Sequence, residues 1–314
     1  RGVDYTATTG TSITGLSALV AGDIATVISP SSFTIANAIQ ATAFTAKGDH
    51  LSGTGAGTYA TVAVGANDQI LVADSTTASG VAWKSYASQV VAGKNIVING
   101  GMDIAQRIGT TTVNVGNGSI YLDRWKNYLT TGAMTIQQST DSPGGGIGYS
   151  ALLKTTTSAT LGSNDYTAFL QLIEGFNSYV LGWGTSRAKP ATISFWVKST
   201  LTGTFSATIQ NPSFNTYVAT YTINSANTWE YKTITISAQT VGTWPVDNTS
   251  SVILIFGLGN GSTYSTSTVN QWTTGNYFSA TGQVNLINTL NATWQITGVQ
   301  LELGSTATPF ARAG

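Results

Sequence analysis

Ala191-Thr-Ile-Ser-Phe-Trp-Val-Lys198 has the two-residue period of a strand with one buried face. Working outward, the same period recurs in Tyr121–Tyr128, Ala133–Gln138, Thr204–Ile209, Tyr217–Ile223, Glu230–Ile236, Ser251–Leu258 and Trp294–Leu301, and Tyr166–Ile173 reads as a further strand. Gly, Asn, Ser and Pro turns separate these runs. Eight or more short strands between such turns specify two sheets packed face to face. The chain is therefore expected to be all-β, with an antiparallel jelly-roll β-sandwich over residues 94–314. One helical turn is expected within Glu174–Leu181, before Gly182-Trp-Gly184.

The composition narrows what such a sandwich can do. Charged residues are 8% of the 314, where roughly 25% is ordinary, so the surface must be built from hydroxyls and amides. Lys plus Arg and Asp plus Glu balance at 13 each, which leaves no long-range field to draw the chain onto nucleic acid or an anionic membrane. Between Lys232 and Arg312 the only charges are Asp247 and Glu302. That segment depends on packing or on a larger assembly for its solubility. The absence of cysteine excludes a disulfide framework and a zinc–thiolate site. There is no run of about 18 apolar residues to cross a membrane, and Arg1-Gly2-Val3 does not open a signal peptide.

Before the sandwich the pattern is different. Residues 1–45 read as short β segments, with Ile24–Ile28 broken by Pro30 and resumed at Phe33-Thr-Ile35. Strands this short bury too little alone, so the segment is expected to dock or trimerise. Residues 46–93 read as a Gly-rich β shaft module, in which Gly53-Thr-Gly-Ala-Gly57 lacks the preceding strand and following helix that a phosphate loop needs. The stretch from Gly93 to Arg107, closed by Tyr121-Leu-Asp-Arg-Trp125, marks the hinge between spacer and sandwich.

Lys47-Gly-Asp-His-Leu-Ser-Gly-Thr-Gly-Ala-Gly-Thr-Tyr59 and Val64-Gly-Ala-Asn-Asp-Gln-Ile-Leu-Val-Ala-Asp-Ser75 resemble a module of bacteriophage tail-fibre shafts, departing from it at His50 and Asp68. A longer set of stretches resembles a C-terminal module of phage virion fibre proteins. It comprises Asn99-Gly-Gly-Met-Asp-Ile-Ala-Gln-Arg107, Asp123-Arg-Trp125, Gln171-Leu-Ile-Glu-Gly175, Leu181-Gly-Trp-Gly184, Ile193–Ser199, Asn224–Ile234, Gln271–Asn276, Ile296–Gly304 and Thr308-Pro-Phe310. This architecture is similar to jelly-roll carbohydrate-binding modules. Some of those hold calcium through an early acidic residue and an Asp pair in the last strand. Here Asp103 could fill the first place, but Thr297-Gly298 stands where the pair would be, so no metal or other cofactor is expected.

Catalytic material is thin. The single histidine, His50, lies in the spacer, away from any orienting context for a nucleophile. Asp103, Asp123, Asp141, Asp165, Glu174, Glu230, Asp247 and Glu302 are the carboxylates from which a glycosidase pair would have to come. Asp123 and its neighbour Arg124 read as a structural ion pair at a strand start. No β-helix repeat is present, and no enzyme activity is expected.

Aromatic residues are the richest site material, because sugar faces stack on exposed rings while Asn, Gln and Asp bind the hydroxyls. Thr243-Trp-Pro-Val-Asp247 and Asn270-Gln-Trp-Thr-Thr-Gly-Asn276 suit that role, and Trp183, Trp244, Asp247, Trp272 and Asn276 are the candidate saccharide contacts. The alternative for these tryptophans is packing at a loop base or subunit interface. Trp196 and Trp294, inside alternating strands, are expected in the core. The four Asn-x-Ser/Thr triplets, at Asn117, Asn248, Asn260 and Asn291, need no explanation beyond chance in so hydroxyl-rich a chain.

The expectation is a homotrimeric, non-enzymatic virion fibre protein on the tail or capsid exterior. It would join other virion proteins through its N-terminal region and bind a host surface glycan or receptor through the sandwich. The alternatives are a capsid decoration protein and, third, a polysaccharide-cleaving tailspike.

Overall fold

The computed structural model describes residues 20–24, 39, 41–67, 69–85 and 95–313. The expected strands at Ile24–Ile28 and Phe33–Ile35 lie outside these residues, save Ile24 itself. The described residues form two compact units, one holding those up to 65 with 72–82, the other those of 66–71 and everything from 83 onward.

In the first unit β1 (His50–Gly55) and β2 (Thr58–Val62) form an antiparallel hairpin. Asp49 anchors it, accepting from the backbone N–H of Ala46 at 2.8 Å, Thr45 at 2.9 Å and Val64 at 3.3 Å. Those donors hold its carboxyl below the usual carboxylate range. Next, β3 (Gln69–Ala73) and β4 (Val81–Ser85) pair with each other across a turn in which Asp74 Oδ1 accepts from Thr76 N–H at 3.0 Å.

From residue 95 the chain builds the sandwich. Its strands are β5 (Val113–Asn114), β6 (Ser119–Ile120), β7 (Trp125–Leu129), β8 (Ala133–Ser139), β9 (Ser150–Thr157) and β10 (Tyr166–Glu174), followed by the helical turn α1 (Gly175–Ser178). Then come β11 (Ala191–Ser199), β12 (Gly203–Gln210), β13 (Asn215–Ile223), β14 (Glu230–Ile236), β15 (Ser250–Asn260), β16 (Ser265–Thr266), β17 (Trp272–Thr274), β18 (Ser279–Ala280) and β19 (Thr293–Leu303). One sheet has the order β17-β13-β12-β15-β10-β7-β6 and the other β14-β11-β19-β9-β8-β5. Their ladders are antiparallel throughout, as a jelly roll requires.

The core between the sheets is aromatic. Trp125 stacks on Phe169 at 4.7 Å, Phe195 meets Phe256 edge-on at 5.1 Å, and Trp294 lies against Phe169 and Phe256 at 6.1 and 5.7 Å. Such pairs each add about 0.5–1.5 kcal/mol to the burial of their area. The Trp294 indole N–H donates to the buried Tyr221 hydroxyl at 3.3 Å, so neither polar atom is stranded. The two ends of the sandwich segment are also sewn together. Asn95 Nδ2 donates to Val299 O at 3.1 Å and Ala311 O at 2.9 Å, and Arg312 Nε to Asp103 Oδ2 at 2.8 Å.

Three expectations need correction. Trp196 is not in the core: Ile193, Phe195 and Val197 take the buried phase of β11, and Trp196, of opposite parity, stands half-buried on the outer face beside Tyr231. The strand expected over Tyr121–Tyr128 begins at Trp125, because the preceding residues form a turn in which Trp125 N–H donates to Leu122 O and Arg124 has φ 73°. Asp123 and Arg124 do not pair with each other. Asp123 pairs with Arg107 at 3.0 Å and Arg124 with Glu174 at 2.5 Å, since the turn sends adjacent side chains in different directions.

Candidate functional site

Two connectors cross between the sheets at one end of the sandwich: residues 175–190 from β10 to β11, and residues 237–249 from β14 to β15. They are bound to each other through backbone. Phe176 N–H donates to Asp247 O at 3.0 Å, Gly175 N–H to Thr249 O at 3.0 Å and Gly184 N–H to Gln239 O at 2.8 Å. The connector from β12 to β13 joins them where Asn211 Nδ2 donates to Thr243 O at 2.9 Å.

Trp183, Trp244 and Trp272 hold this end together. Their rings meet edge to face at 4.9, 5.4 and 5.7 Å, and Tyr217 packs on Trp272 at 5.3 Å. Each indole N–H is capped by a backbone carbonyl: Lys189 O at 2.8 Å, Val241 O at 3.1 Å and Ser237 O at 2.8 Å respectively. Trp183 and Trp244 are only 6% and 9% exposed. They act as the base from which the loops stand. Gly184 makes the approach possible: it has φ 79°, and a Cβ there would lie 2.7 Å from both Gly242 O and Trp244 Cδ1.

Above this base lies a cleft of about 590 Å³. Trp183 and Trp244 contribute to its lining, with Pro245, Val246, Ser178 and Arg187, and with Phe176 and Tyr179 from α1 and the turn that follows it. Phe176 and Tyr179 are 63% and 68% exposed. An aromatic pair left in solvent beside a concave surface is the arrangement that stacks on flat, weakly polar ligand faces.

Of the sequence candidates, three tryptophans are thus brought together, two of them at the cleft. Asp247 is close by in the chain but turned to a structural task. Its Oδ1 accepts from the Thr249 hydroxyl at 2.6 Å and the Thr249 N–H at 2.9 Å, which holds its carboxyl below the ordinary range. Asn276 is elsewhere, in a cleft of about 260 Å³ with Tyr128, Leu170, Ile253, Ile255 and Phe278. Sequence reasoning passed over Phe176, Tyr179 and Arg187. The signal available was that Phe176 and Tyr179, three apart in the expected helical turn, share one face and so present two rings together.

A second aromatic surface lies on the outer face of the six-stranded sheet. Trp196 and Tyr231 are 5.3 Å apart there and, with Pro309 and Phe310, line a shallow hollow of about 470 Å³.

The eight carboxylates weighed for catalysis are engaged in the structure. Asp141 holds Lys198 and accepts from Trp229 Nε1 at 3.1 Å, Asp165 accepts from Gly162 N–H at 2.7 Å, and Glu302 Oε2 accepts from Thr308 Oγ1 at 2.6 Å. Asp103 is tied to Arg312. Glu230 accepts from Asn224 N–H and Ser225 N–H, each at 2.8 Å, and from Lys232 Nζ at 2.6 Å; burial raises its carboxyl, but these donors overcome that and hold it at about 2. Asp123 and Glu174 share a groove of about 330 Å³. Each is clamped by an arginine, and despite some burial Glu174 is held below its ordinary range by Arg124. A glycosidase general acid needs the opposite shift. Among the described residues no three His, Cys, Asp or Glu side chains come together as a metal site, and no helix is long and apolar enough to cross a membrane.

No family model matches the chain, and no curated protein matches it. Among solved structures it is similar to the enzymatically active domain of tailspike protein 4 from bacteriophage CBA120, at 15% identity and TM-score 0.38; the match covers 68% of this chain and only 22% of that one. It is similar also to a CBM4 structure at 13% identity and TM-score 0.32, covering 58% of this chain and 95% of that one. The family 11 carbohydrate-binding module from Clostridium thermocellum matches at 15% identity and TM-score 0.30, over 64% of this chain and 98% of the module.

Proposed function

We propose that the chain is a non-enzymatic virion fibre protein whose sandwich attaches the particle to its host by binding a surface saccharide in the end cleft. The observation that supports this most is the cleft itself. It is concave, held on a rigid tryptophan base, and fronted by two solvent-exposed aromatic rings with hydroxyls from the exposed Thr185 and Ser186 within the same lining. Saccharides present apolar ring faces edged by hydroxyls, and this lining offers rings and hydroxyls at once. The virion assignment rests on the ordered stretches from Asn99 to Phe310 and on the shaft-like repeat of Gly-rich turns before them. The N-terminal region would join other virion proteins and gather three copies.

The test is direct binding of host surface polysaccharide by the full chain and by a Phe176→Ala/Tyr179→Ala variant. Loss of binding in the variant at unchanged melting temperature is expected; equal binding by both would refute the cleft. Immunogold labelling of particles separates the locations. Gold at the tail tip is the expected result, and gold spread over the head would make the chain a capsid decoration protein.

A further inference from the structure

We infer that the saccharide taken by the end cleft is acidic, and that Arg187 is the residue that selects it. This rests on the saccharide reading above and names the chemistry of the ligand. Four arginines lie within the described residues. Arg107, Arg124 and Arg312 each bridge a carboxylate, at 3.0, 2.5 and 2.8 Å. Among the described residues Arg187 has no ion pair and no side-chain hydrogen bond. Among the described residues it is also the only charged side chain lining the cleft.

Its backbone, by contrast, is fixed. The Thr185 hydroxyl accepts from the Arg187 N–H at 3.1 Å and donates to Gly182 O at 2.6 Å. Ala188 N–H closes on Thr185 O at 3.1 Å, and Lys189 N–H on Leu181 O at 3.0 Å. Trp183 Nε1 caps Lys189 O, so the loop is tied to the tryptophan base on its far side as well. Gly182, at φ 63°, permits the turn: a Cβ there would lie 2.8 Å from Arg187 O. The result is a well-tied loop presenting a guanidinium that no described residue engages.

In a chain with so few charges, each of the other three described arginines serves the fold. A guanidinium offers a planar fork of donors that matches a carboxylate in two parallel hydrogen bonds, and phosphate nearly as well. Beside Phe176 and Tyr179 it can hold the acid group while a ring face stacks. A saccharide bearing a carboxylate, as uronic acids do, satisfies both features; a phosphate-bearing polymer shares the anionic chemistry.

The test uses the full chain and three probes: a uronic-acid polysaccharide, the same polymer with its carboxyls reduced to alcohols, and a glycerol-phosphate polymer. The uronic-acid form should bind at least about tenfold more tightly than its reduced form, and the difference should shrink as salt rises. Arg187→Gln should abolish that preference while keeping the weak binding of the reduced polymer, and Arg187→Lys should restore part of it. Tighter binding of the glycerol-phosphate polymer, lost in Arg187→Gln, would support the arginine and assign phosphate as the anion. Equal binding of native and reduced polymer by the wild type would overturn the acidic-ligand inference and leave the saccharide reading standing. Failure to bind any of the three, or any neutral polysaccharide, would overturn both.

Discussion

Phe176 and Tyr179 are the residues on which the saccharide reading turns, and their exposure makes them separable from the fold. Tyr179→Ala should weaken saccharide binding by about tenfold, the worth of one stacked ring, with no change in melting temperature, as read by calorimetric titration beside a thermal melt. Trp183→Ala should behave differently. Its ring is buried among Trp244 and Trp272, so its removal should cost about 3–5 kcal/mol of stability and binding should fall with it. If Trp183→Ala melted like the wild type, the tryptophan base would be wrong. Trp196→Ala, on the outer face, should leave binding in the cleft unaltered. Trp196 also shows where residue-level reading failed. Within Ala191–Lys198 the two-residue period is legible, but period alone does not say which parity faces inward, and Trp196 was expected in the core simply for lying in an alternating strand. Phe195 and Val197, of one parity, fill the core instead.

At the scale of elements, long strands between β-turns were legible because their alternation survives to the end of each run: β11, β13, β14 and β19 lie within two residues of where the pattern put them. Strand β9 escaped notice. In Ser150–Thr157 the adjacent Leu152 and Leu153 break the alternation, and Thr155 points inward to donate to Leu286 O at 3.0 Å. The turn from β13 to β14 has its own signature. Glu230 gathers the N–H groups of Asn224 and Ser225 and the Lys232 ammonium, and its carboxyl is held at about 2 against an ordinary 4.5. Between those values the folded chain binds fewer protons than the unfolded chain, so the contribution is whole above about pH 4.5 and fades as pH falls toward 2. Denaturant melts across that window should show a shallower decline for Glu230→Gln than for the wild type. Identical declines would mean that the carboxylate does not hold the turn.

For the whole molecule, the all-β class and the jelly roll followed from strand number and turn spacing, whereas the cleft did not. It is made where connectors far apart in sequence meet, Phe176 with Asp247 and Gly184 with Gln239, and no local pattern records that meeting. Exposed Phe176, Tyr179, Val180, Val241 and Val246 cluster in those same connectors, an apolar concentration that a binding surface explains better than a solvated one. The proposed trimer predicts that the full chain sediments as three copies at micromolar concentration; a monomer there would remove the oligomer from the proposal. The most direct measurement is the affinity of host surface polysaccharide for the full chain beside its Phe176→Ala/Tyr179→Ala variant, with melting temperatures taken on the same samples. Binding by the wild type and its loss in an equally stable variant is the expected result. Equal affinity in both proteins, or none in either, would contradict a saccharide-binding end cleft.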